Sequence, residues 1–201
     1  HLSLRRQRQM CIRDSMHMVK KYENAGISSI CIEDKTFPKQ NSLLENGKND
    51  LLSEKEFVAK ILAAKQTRND KDFLIMARVE ALISGAGMNE ALKRATAYEN
   101  AGADAILIHS KQKTPDEIFE FADSWKGSVP IVVVPTTYDS VKISELNLHN
   151  IKMIIFANQT LRASHLAMTK LLHEMVDTEH ISTIEQEMST IRVRRVCRDM
   201  R

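Results

Sequence analysis

The chain has 201 residues, of which 43% are hydrophobic and 27% charged, and its formal net charge is +3. This length and composition are typical of one globular domain. No apolar run approaches the roughly 20 residues that a bilayer span needs, and no apolar segment follows the basic N-terminus as it would in a secretion signal. Three widely spaced cysteines exclude a disulfide framework and a paired metal knuckle. These features predict a cytoplasmic protein without a membrane partner.

Arginine is concentrated at the two ends of the chain. Residues 1–15 and 192–201 contain nine Arg, no Lys and two Asp, a charge of +7, whereas the other 176 residues carry −4. One interpretation is a pair of basic arms that bind a phosphate backbone. The other, which we favour, is non-native sequence such as a translated adaptor, and such sequence is excluded from fold reasoning. We therefore take residues 16–191 as the catalytic domain and expect no nucleic-acid partner.

The domain begins with a predicted helix over residues 16–26. After it, short apolar runs rich in β-branched residues alternate with amphipathic segments, and runs of this kind are typical of strands buried on both faces. The predicted strands are residues 27–34, 73–80, 103–110, 130–137 and 151–158. Among the segments between and after them, the stretch from Asn89 to Gly102 has a helical start and stop signal, and residues 160–177 form a long last helix.

Capping signals predict two more helices. Ser53 and Glu56 have the spacing of a capping box directly after the first strand and its long loop. Thr114 and Glu117 repeat that spacing after the third strand, with Pro115 at the first helical position. The domain is therefore a series of strand-then-helix units.

Such units indicate an α/β fold, which is either an open doubly wound sheet or a closed barrel. Polar side chains follow every predicted strand: Glu33, Asp34 and Lys35; Arg78 and Glu80; His109 and Ser110; Thr136 and Thr137; Asn158. Functional groups from strand after strand are typical of the (β/α)8 barrel, whereas an open sheet concentrates its site at one switch point. We predict a partial TIM-type barrel made of the last five strand-helix units, with the first three absent.

The loop over residues 36–50 is longer than the roughly 2 to 6 residues usual between a strand and a helix. On the catalytic rim of a barrel, such a loop is a candidate lid. The alternative is an ordinary surface loop. Lys39 and Asn41 within it are candidates for binding an anionic substrate.

Arg78 and His109 are candidate site residues on neighbouring strands. Arg78 interrupts an apolar strand, where a guanidinium needs a carboxylate or phosphate partner. The alternative is a structural ion pair with Glu80 or Glu33. His109 has the chemistry to donate a hydrogen bond to a phosphoryl or carboxylate oxygen, and the alternative is a histidine satisfied within the protein.

The first predicted strand ends in two carboxylates and an amine. Glu33 and Asp34 are candidates for positioning a hydrated Mg²⁺, which usually takes one or two protein carboxylates and keeps several waters. The alternative is a pair of salt bridges with Lys35. Cys31, within the same strand, is interpreted as a small core residue.

Several segments together resemble one known family. In order and spacing, GISSICIEDKTFPKQNSLL, FLIMARVEALISGAG, AGADAILIHSK, VPTT and ANQTLRAS are similar to the phosphoenolpyruvate mutase family of the isocitrate lyase superfamily. The resemblance covers about residues 16–180 and leaves out the two tails. It implies a (β/α) barrel whose last helix is exchanged between the subunits of a homotetramer.

The resemblance also implies a function and roles for particular residues. The family is an isomerase that interconverts phosphoenolpyruvate and phosphonopyruvate in phosphonate biosynthesis, with a bound Mg²⁺ as cofactor. Glu33 would orient metal-bound water without touching the metal. Lys39 and Asn41 would act from the lid, and Arg78 and His109 would contact the phosphoryl group.

Two enzymatic alternatives are separated by the lid. Carbon-carbon lyases of the superfamily carry a cysteine in a Lys-Cys-Gly-His type lid, and residues 36–50 contain none, which disfavours a lyase. Phosphonopyruvate hydrolase, which cleaves the carbon-phosphorus bond, is the closer alternative. The resemblance links Asn in the lid to the mutase and Thr to the hydrolase, so Asn41 favours the mutase.

The family's direct metal ligand, an Asp, lies on the early strands that this chain lacks. We therefore expect the 201-residue chain to be inactive by itself. The third alternative is a truncated chain with no catalytic function of its own.

Overall fold

Parallel strands alternate with helices along residues 2–44 and 49–177, the part of the chain that the computed structural model describes. The elements are α1 (Leu2–Asn24), β1 (Ser29–Glu33), α2 (Glu54–Thr67), β2 (Leu74–Val79), α3 (Ala81–Ser84), α4 (Met88–Asn100), β3 (Ala105–Ile108), α5 (Asp116–Ser124), β4 (Ile131–Val133), α6 (Ile143–Leu148), β5 (Ile151–Ile154) and α7 (Gln159–Asp177). The five predicted strands are confirmed, although each is shorter than its apolar run.

The order of the strands separates the two architectures left open above. All five are parallel and follow the sequence, β1-β2-β3-β4-β5. Because crossovers between parallel strands are right-handed, strands that are always added on the same side place their connecting helices on one face of the sheet. A doubly wound sheet instead reverses its strand order at a switch point. The described sheet has no reversal and matches a partial (β/α) barrel.

The two faces of the sheet are packed differently, because alternate residues of a strand point to opposite sides. One face lies against the helices and forms the main core. Its strand residues are Ala77, Val79, Ile106, Ile108, Ile131 and Val133, and its helix residues include Phe57, Ile61, Ala91, Ala95, Tyr98, Ile118 and Phe121. The opposite face, which we call the inner face, carries a smaller cluster of Met76, Ala105, Leu107, Val132 and Val134.

Strand β1 has a strand neighbour on one side only among the described residues. Cys31, at the middle of β1, is exposed. Its interpretation as a core residue is therefore wrong, because its side chain lies on the edge strand of the described sheet and faces an open cavity. A cavity of about 740 Å³ lies beside this strand and is lined by Cys31 together with Met18 and Tyr22 of α1.

The beginnings of α2 and α5 test the two predicted capping boxes. The Ser53 box before α2 is confirmed, with reciprocal hydrogen bonds between Ser53 and Glu56. The Thr114 box before α5 is wrong, because Pro115 takes the cap position and the Glu117 carboxylate accepts a hydrogen bond from the Ser110 hydroxyl at 2.6 Å. Thr114 instead donates to Asp116, so each predicted partner has a different local contact.

Other helix boundaries differ from the predictions by a few residues or more. Helix α4 begins at Met88 after Gly87, whose φ of 84° favours glycine, so Asn89 lies inside the helix and does not cap it. Helix α1 begins at Leu2, so the helix predicted from residue 16 extends back through the basic N-terminal segment. The short helices α3 and α6 were not predicted, since neither reaches two full helical turns.

A second compact unit begins at Ala157 and contains α7, which confirms the helix predicted over residues 160–177. The predicted C-terminal tail, residues 192–201, lies outside the described residues. Within the described residues, no helix has both the length and the apolar character that crossing a membrane requires.

A buried polar network joins the carboxyl ends of β1 and β2 to α4. The Asp34 side chain is fully buried and accepts hydrogen bonds from the Tyr98 hydroxyl at 2.7 Å, from Arg94 Nη1 at 3.1 Å and from the Glu80 backbone N–H at 2.9 Å. Burial raises the pKa of the Asp34 carboxyl, and these three hydrogen bonds oppose the rise. The network fixes the positions of the strand ends relative to each other.

We predict that Tyr98→Phe lowers the free energy of unfolding by about 1 to 3 kcal/mol, because it removes a hydrogen bond to a buried carboxylate. Urea unfolding measures the change. Tyr138→Phe is a matched control, since the buried Tyr138 hydroxyl has no hydrogen-bond partner among the described residues and its removal should cost nothing. Equal losses in both variants would contradict the prediction.

Candidate active site

Three polar side chains lie at the carboxyl ends of β1, β2 and β3. Glu33 and Arg78 are register partners on neighbouring strands. Arg78 in turn pairs with Leu107, two residues before His109. Because residues two apart on a strand share a face, Glu33, Arg78 and His109 all belong to the inner face. The carboxyl ends of parallel strands are where barrel enzymes carry their active sites.

Arg78 is held by two carboxylates. Its Nε donates to Glu80 Oε1 at 2.6 Å and lies 3.5 Å from Glu33 Oε2, and its Nη2 donates to Ser42 Oγ at 3.0 Å. Both ion-pair partners considered from the sequence are therefore confirmed. The side chain remains 23% exposed, so the guanidinium is oriented by the protein but still accessible from the inner face.

His109 is buried at the end of β3, with 5% of its surface exposed. Its Nδ1 has no hydrogen-bond partner within the described part of the chain. Burial lowers the pKa of the imidazole to about 4, and the nearby Arg78 guanidinium acts in the same direction. The ring is therefore neutral near pH 7 and retains one N–H to donate. An unpartnered polar atom in a buried ring is a place where a ligand can bind.

The long loop brings Lys39 to this cluster but not Asn41. Lys39 Nζ lies 3.3 Å from Glu33 Oε1, and the side chain is 41% exposed. Asn41 is exposed, and its side-chain oxygen accepts a hydrogen bond from the Leu43 backbone N–H at 2.9 Å, which closes a turn within the loop. A contact of Asn41 with substrate thus stays a prediction.

Three buried residues at this site were not assigned a role in catalysis or binding from the sequence. Lys35, Ser42 and Glu80 are 2%, 5% and 0% exposed. Glu80 was considered only as an ion-pair partner of Arg78, and because it follows Arg78 by two residues it also shares its face. Ser42 carries no sequence signal, since only the loop conformation buries it. Salt bridges of Lys35 with Glu33 and Asp34 were the alternative to a metal site, but the described carboxylate partner of Lys35 is Glu80, at 3.7 Å.

Magnesium ligands are incomplete among the described residues. No group of three or more His, Cys, Asp or Glu side chains within residues 2–44 and 49–177 is arranged to hold a metal ion. Asp34, a sequence candidate, is occupied by Arg94 and Tyr98 behind the sheet. Glu33 faces the inner side, but two cations already lie near its oxygens. The donor set fits an outer carboxylate and does not by itself make a magnesium site.

The arrangement has the chemistry of an anion site. Lys39 and Arg78 supply positive charge, a neutral His109 supplies a hydrogen bond, and Glu33 and Glu80 fix the two cations. Guanidinium and amine groups at a partly enclosed site bind phosphate or carboxylate oxygens.

Comparison with known proteins gives concordant results. A family model described as phosphoenolpyruvate phosphomutase matches residues 12–176. The phosphoenolpyruvate phosphomutase of Tetrahymena pyriformis is 45% identical over 179 residues, which are 89% of this chain and 60% of that protein. The phosphonopyruvate hydrolase of Variovorax sp. is 51% identical over 149 residues, 74% of this chain and 51% of that protein. The chain thus spans about half to three fifths of these relatives.

Solved structures of the same two kinds of enzyme share the fold. The phosphoenolpyruvate phosphomutase of Streptomyces platensis has a TM-score of 0.86 at 42% identity, covering 89% of this chain and 62% of that one. A phosphonopyruvate hydrolase in complex with oxalate and Mg²⁺ has a TM-score of 0.82 at 41% identity, covering 90% of this chain and 62% of that one. Because the family model extends over most of the sequence, from residue 12 to residue 176, this chain belongs to the phosphoenolpyruvate phosphomutase family.

Proposed function

We propose that this chain is part of an enzyme that interconverts phosphoenolpyruvate and phosphonopyruvate, an isomerase acting by intramolecular phosphoryl transfer. The observation that carries the proposal is the accessible Arg78 guanidinium, fixed by Glu80 and Glu33 beside the buried, neutral His109. Membership of the family supports the same reaction.

Phosphoryl transfer suits this site because its transition state is loose, and catalysis depends mostly on positioning and charge stabilisation. Arg78 would bind two oxygens of the phosphoryl group with donors that Glu80 has oriented. His109 would donate its N–H to another oxygen, which a neutral ring can do without adding a fixed charge. Lys39 would approach from the loop, balance negative charge, and help to exclude the water that would otherwise capture the phosphoryl group.

The proposal includes a bound Mg²⁺ because a solved relative of this chain contains one. A phosphonopyruvate hydrolase of this fold has been solved with oxalate and Mg²⁺. When bound, the ion would stabilise negative charge on the pyruvate oxygens. Glu33 would accept a hydrogen bond from water in the hydration shell, and the direct ligands would come from outside the described residues. Glu33 would then exchange part of its contact with Lys39 and Arg78 for that water.

Helix α7 supports the proposal of a homotetramer with an exchanged last helix. None of its residues is buried. Six of its large apolar side chains are between 54% and 84% exposed: Leu161, Leu166, Met168, Leu172, Met175 and Val176. Many exposed apolar side chains on one helix are typical of a protein interface.

Phosphonopyruvate hydrolase is the second candidate, favoured by the 51% identity of the Variovorax enzyme. The distinguishing residue is Asn41 in the lid, which we assign to the mutase. Both reactions begin with cleavage of the carbon-phosphorus bond, so the products separate them. A mutase returns the phosphoryl group to the enolate oxygen, and a hydrolase releases phosphate.

A chimaera tests the reaction. We define the restored barrel as a fusion in which the amino-terminal strand-helix units of the Streptomyces platensis relative precede residue 16 of this chain. Incubated with phosphonopyruvate and Mg²⁺, it should form phosphoenolpyruvate, followed by phosphorus NMR, whereas the 201-residue chain alone should form none. Pyruvate and phosphate as the only products would assign the enzyme to the hydrolases.

Arg78→Lys in the restored barrel should lower kcat/KM by about 100-fold or more, because an amine cannot reproduce the oriented, forked contact of the guanidinium. Steady-state kinetics measure the loss. Lys93→Met is the control, since Lys93 forms only exposed ion pairs on the surface with Glu54 and Glu90 and should leave the rate unchanged. A loss below about threefold in Arg78→Lys would remove Arg78 from the phosphoryl site.

His109 predicts a dependence of stability on pH. Its pKa is lowered from 6.5 to about 4 in the folded chain, so between these values the unfolded chain binds a proton that the folded chain does not. Stability therefore falls as pH decreases, by about 2 kcal/mol between pH of about 7.5 and about 5. Urea unfolding of the restored barrel at both pH values measures this difference.

The His109→Asn variant should lose this part of the pH dependence. His149→Asn serves as the control, because His149 lies partly exposed beside Asp123, away from the site, and its replacement should preserve the contribution of His109. An unchanged pH dependence in His109→Asn would show that the buried ring is not the group responsible.

A further inference from the structure

Lys35, immediately after β1, bonds to both arms of the long loop. Its Nζ donates to the Gln40 carbonyl at 2.6 Å and to Ser42 Oγ at 2.9 Å on the first arm, and to Asn49 Oδ1 at 3.2 Å on the second. An ammonium has three donors, and here all three are used within one loop. The amine is buried, so each bond replaces a contact with water.

The base of the loop is also closed by the backbone. Lys35 and Leu51 form an antiparallel bridge. The Thr36 N–H donates to the Asp50 carbonyl at 2.9 Å, and the Leu52 N–H donates to the Asp34 carbonyl at 2.8 Å. The two ends of the loop are therefore fixed independently of Lys35. The bonds from Lys35 act further along the loop, where they hold the segment that carries Lys39 and Asn41.

Ser42 connects the loop to the sheet. Its hydroxyl accepts from Lys35 and from Arg78 Nη2, and donates to Glu80 Oε2 at 2.5 Å. One donated and two accepted hydrogen bonds are the full capacity of a hydroxyl group. The other oxygen of Glu80 accepts from Arg78 Nε. A single buried carboxylate thus binds both the loop and the guanidinium that faces the inner side.

We infer that Lys35 and Glu80 are positioning residues. They anchor the described parts of the long loop, residues 36–44 and 49–50, and through Ser42 they link the position of the loop to the orientation of Arg78. Both side chains are buried, so we assign neither of them a contact with the substrate. The part of this inference that concerns Arg78 in catalysis rests on the proposed function. The anchoring itself concerns only the described contacts.

The anchor has two distinct states for a physical reason. If the loop leaves, Lys35 loses three acceptors and Glu80 loses the Ser42 hydroxyl, and the contacts left to Glu80 are Lys35 at 3.7 Å and Arg78 at 2.6 Å. Buried polar groups without partners are costly, so partial departure is disfavoured. The loop therefore has two states. In the bound state, Arg78 Nη2 donates to Ser42. In the released state, this donor has lost its acceptor and the guanidinium can reorient.

Amide hydrogen exchange, followed by mass spectrometry, tests the anchor in the 201-residue chain and in the restored barrel. In Lys35→Met, peptides from residues 36–44 and 49–52 should exchange about tenfold faster or more, because three hydrogen bonds to a charged group are lost. Residues 105–108 of β3 should keep their protection. Lys55→Met, at an exposed position on α2, is the matched control and should change neither region.

Additional variants keep the test decisive if Lys35→Met does not fold. Lys35→Met combined with Glu80→Gln leaves no unpaired buried charge and should still release the loop. Ser42→Ala removes only one hydroxyl and should also speed exchange of residues 36–44. Adding Ser42→Ala to Lys35→Met should produce little further increase, because both act on the same contacts.

Two results would overturn the inference. Unchanged loop exchange in a folded Lys35→Met would show that Lys35 does not hold the loop. A uniform rise across the loop and β3 would assign Lys35 a role in overall stability alone.

The link to Arg78 has its own measurement in the restored barrel. Ser42→Ala and Lys35→Met should each lower kcat for phosphonopyruvate, non-additively, with a smaller change in KM. If both variants instead raise KM and leave kcat unchanged, the link between the loop and Arg78 is refuted. If the unmutated restored barrel has no activity, the proposed function fails while the exchange result still decides whether Lys35 anchors the loop.

Discussion

The buried carboxylate of Asp34 is the contact on which the geometry of the site depends. It accepts hydrogen bonds from Tyr98 and Arg94 of α4 and from the Glu80 backbone on the neighbouring strand. Three elements distant in sequence thus meet at one side chain. Removing a partner would leave an uncompensated group in the core, which is strongly unfavourable. This contact fixes the ends of β1 and β2 relative to each other and to α4, and these two strand ends carry Glu33, Arg78 and Glu80.

Three consecutive charged residues at the end of β1 contact three different parts of the molecule. Glu33 points to the inner face and pairs with Lys39 and Arg78. Asp34 points to the helices, as the alternation of a strand requires. Lys35 returns to the inner side, below the loop, and bonds to it. Because successive residues of a strand point to opposite faces, the structural carboxylate of Asp34 lies on the helix side, and the charges of Glu33 and Lys35 lie on the side of the site.

Much of the fold and part of the site could be predicted from particular residues. The apolar runs around Ile32, Ala77 and Ile106 located the strands, and Arg78 was recognised because a charge within such a run needs a partner. Ser42 could not be recognised, since an exposed and a buried serine look alike in sequence. The Thr114 capping box was wrong because Ser110 lies close enough in space to bind Glu117 instead. Local patterns do not reveal such competing tertiary partners.

By itself, the sequence determined the strand-helix alternation, the long loop after the first strand and the types of residue at the strand ends, because these follow from local hydrophobic patterning and spacing. Only the tertiary structure decided the strand order, which excluded a doubly wound sheet, and the partners of each charge. Asp34 accepts hydrogen bonds from Arg94 and Tyr98 of α4, and Lys35 pairs with Glu80. These partners lie far away in the sequence. Those contacts exist only once the chain has packed.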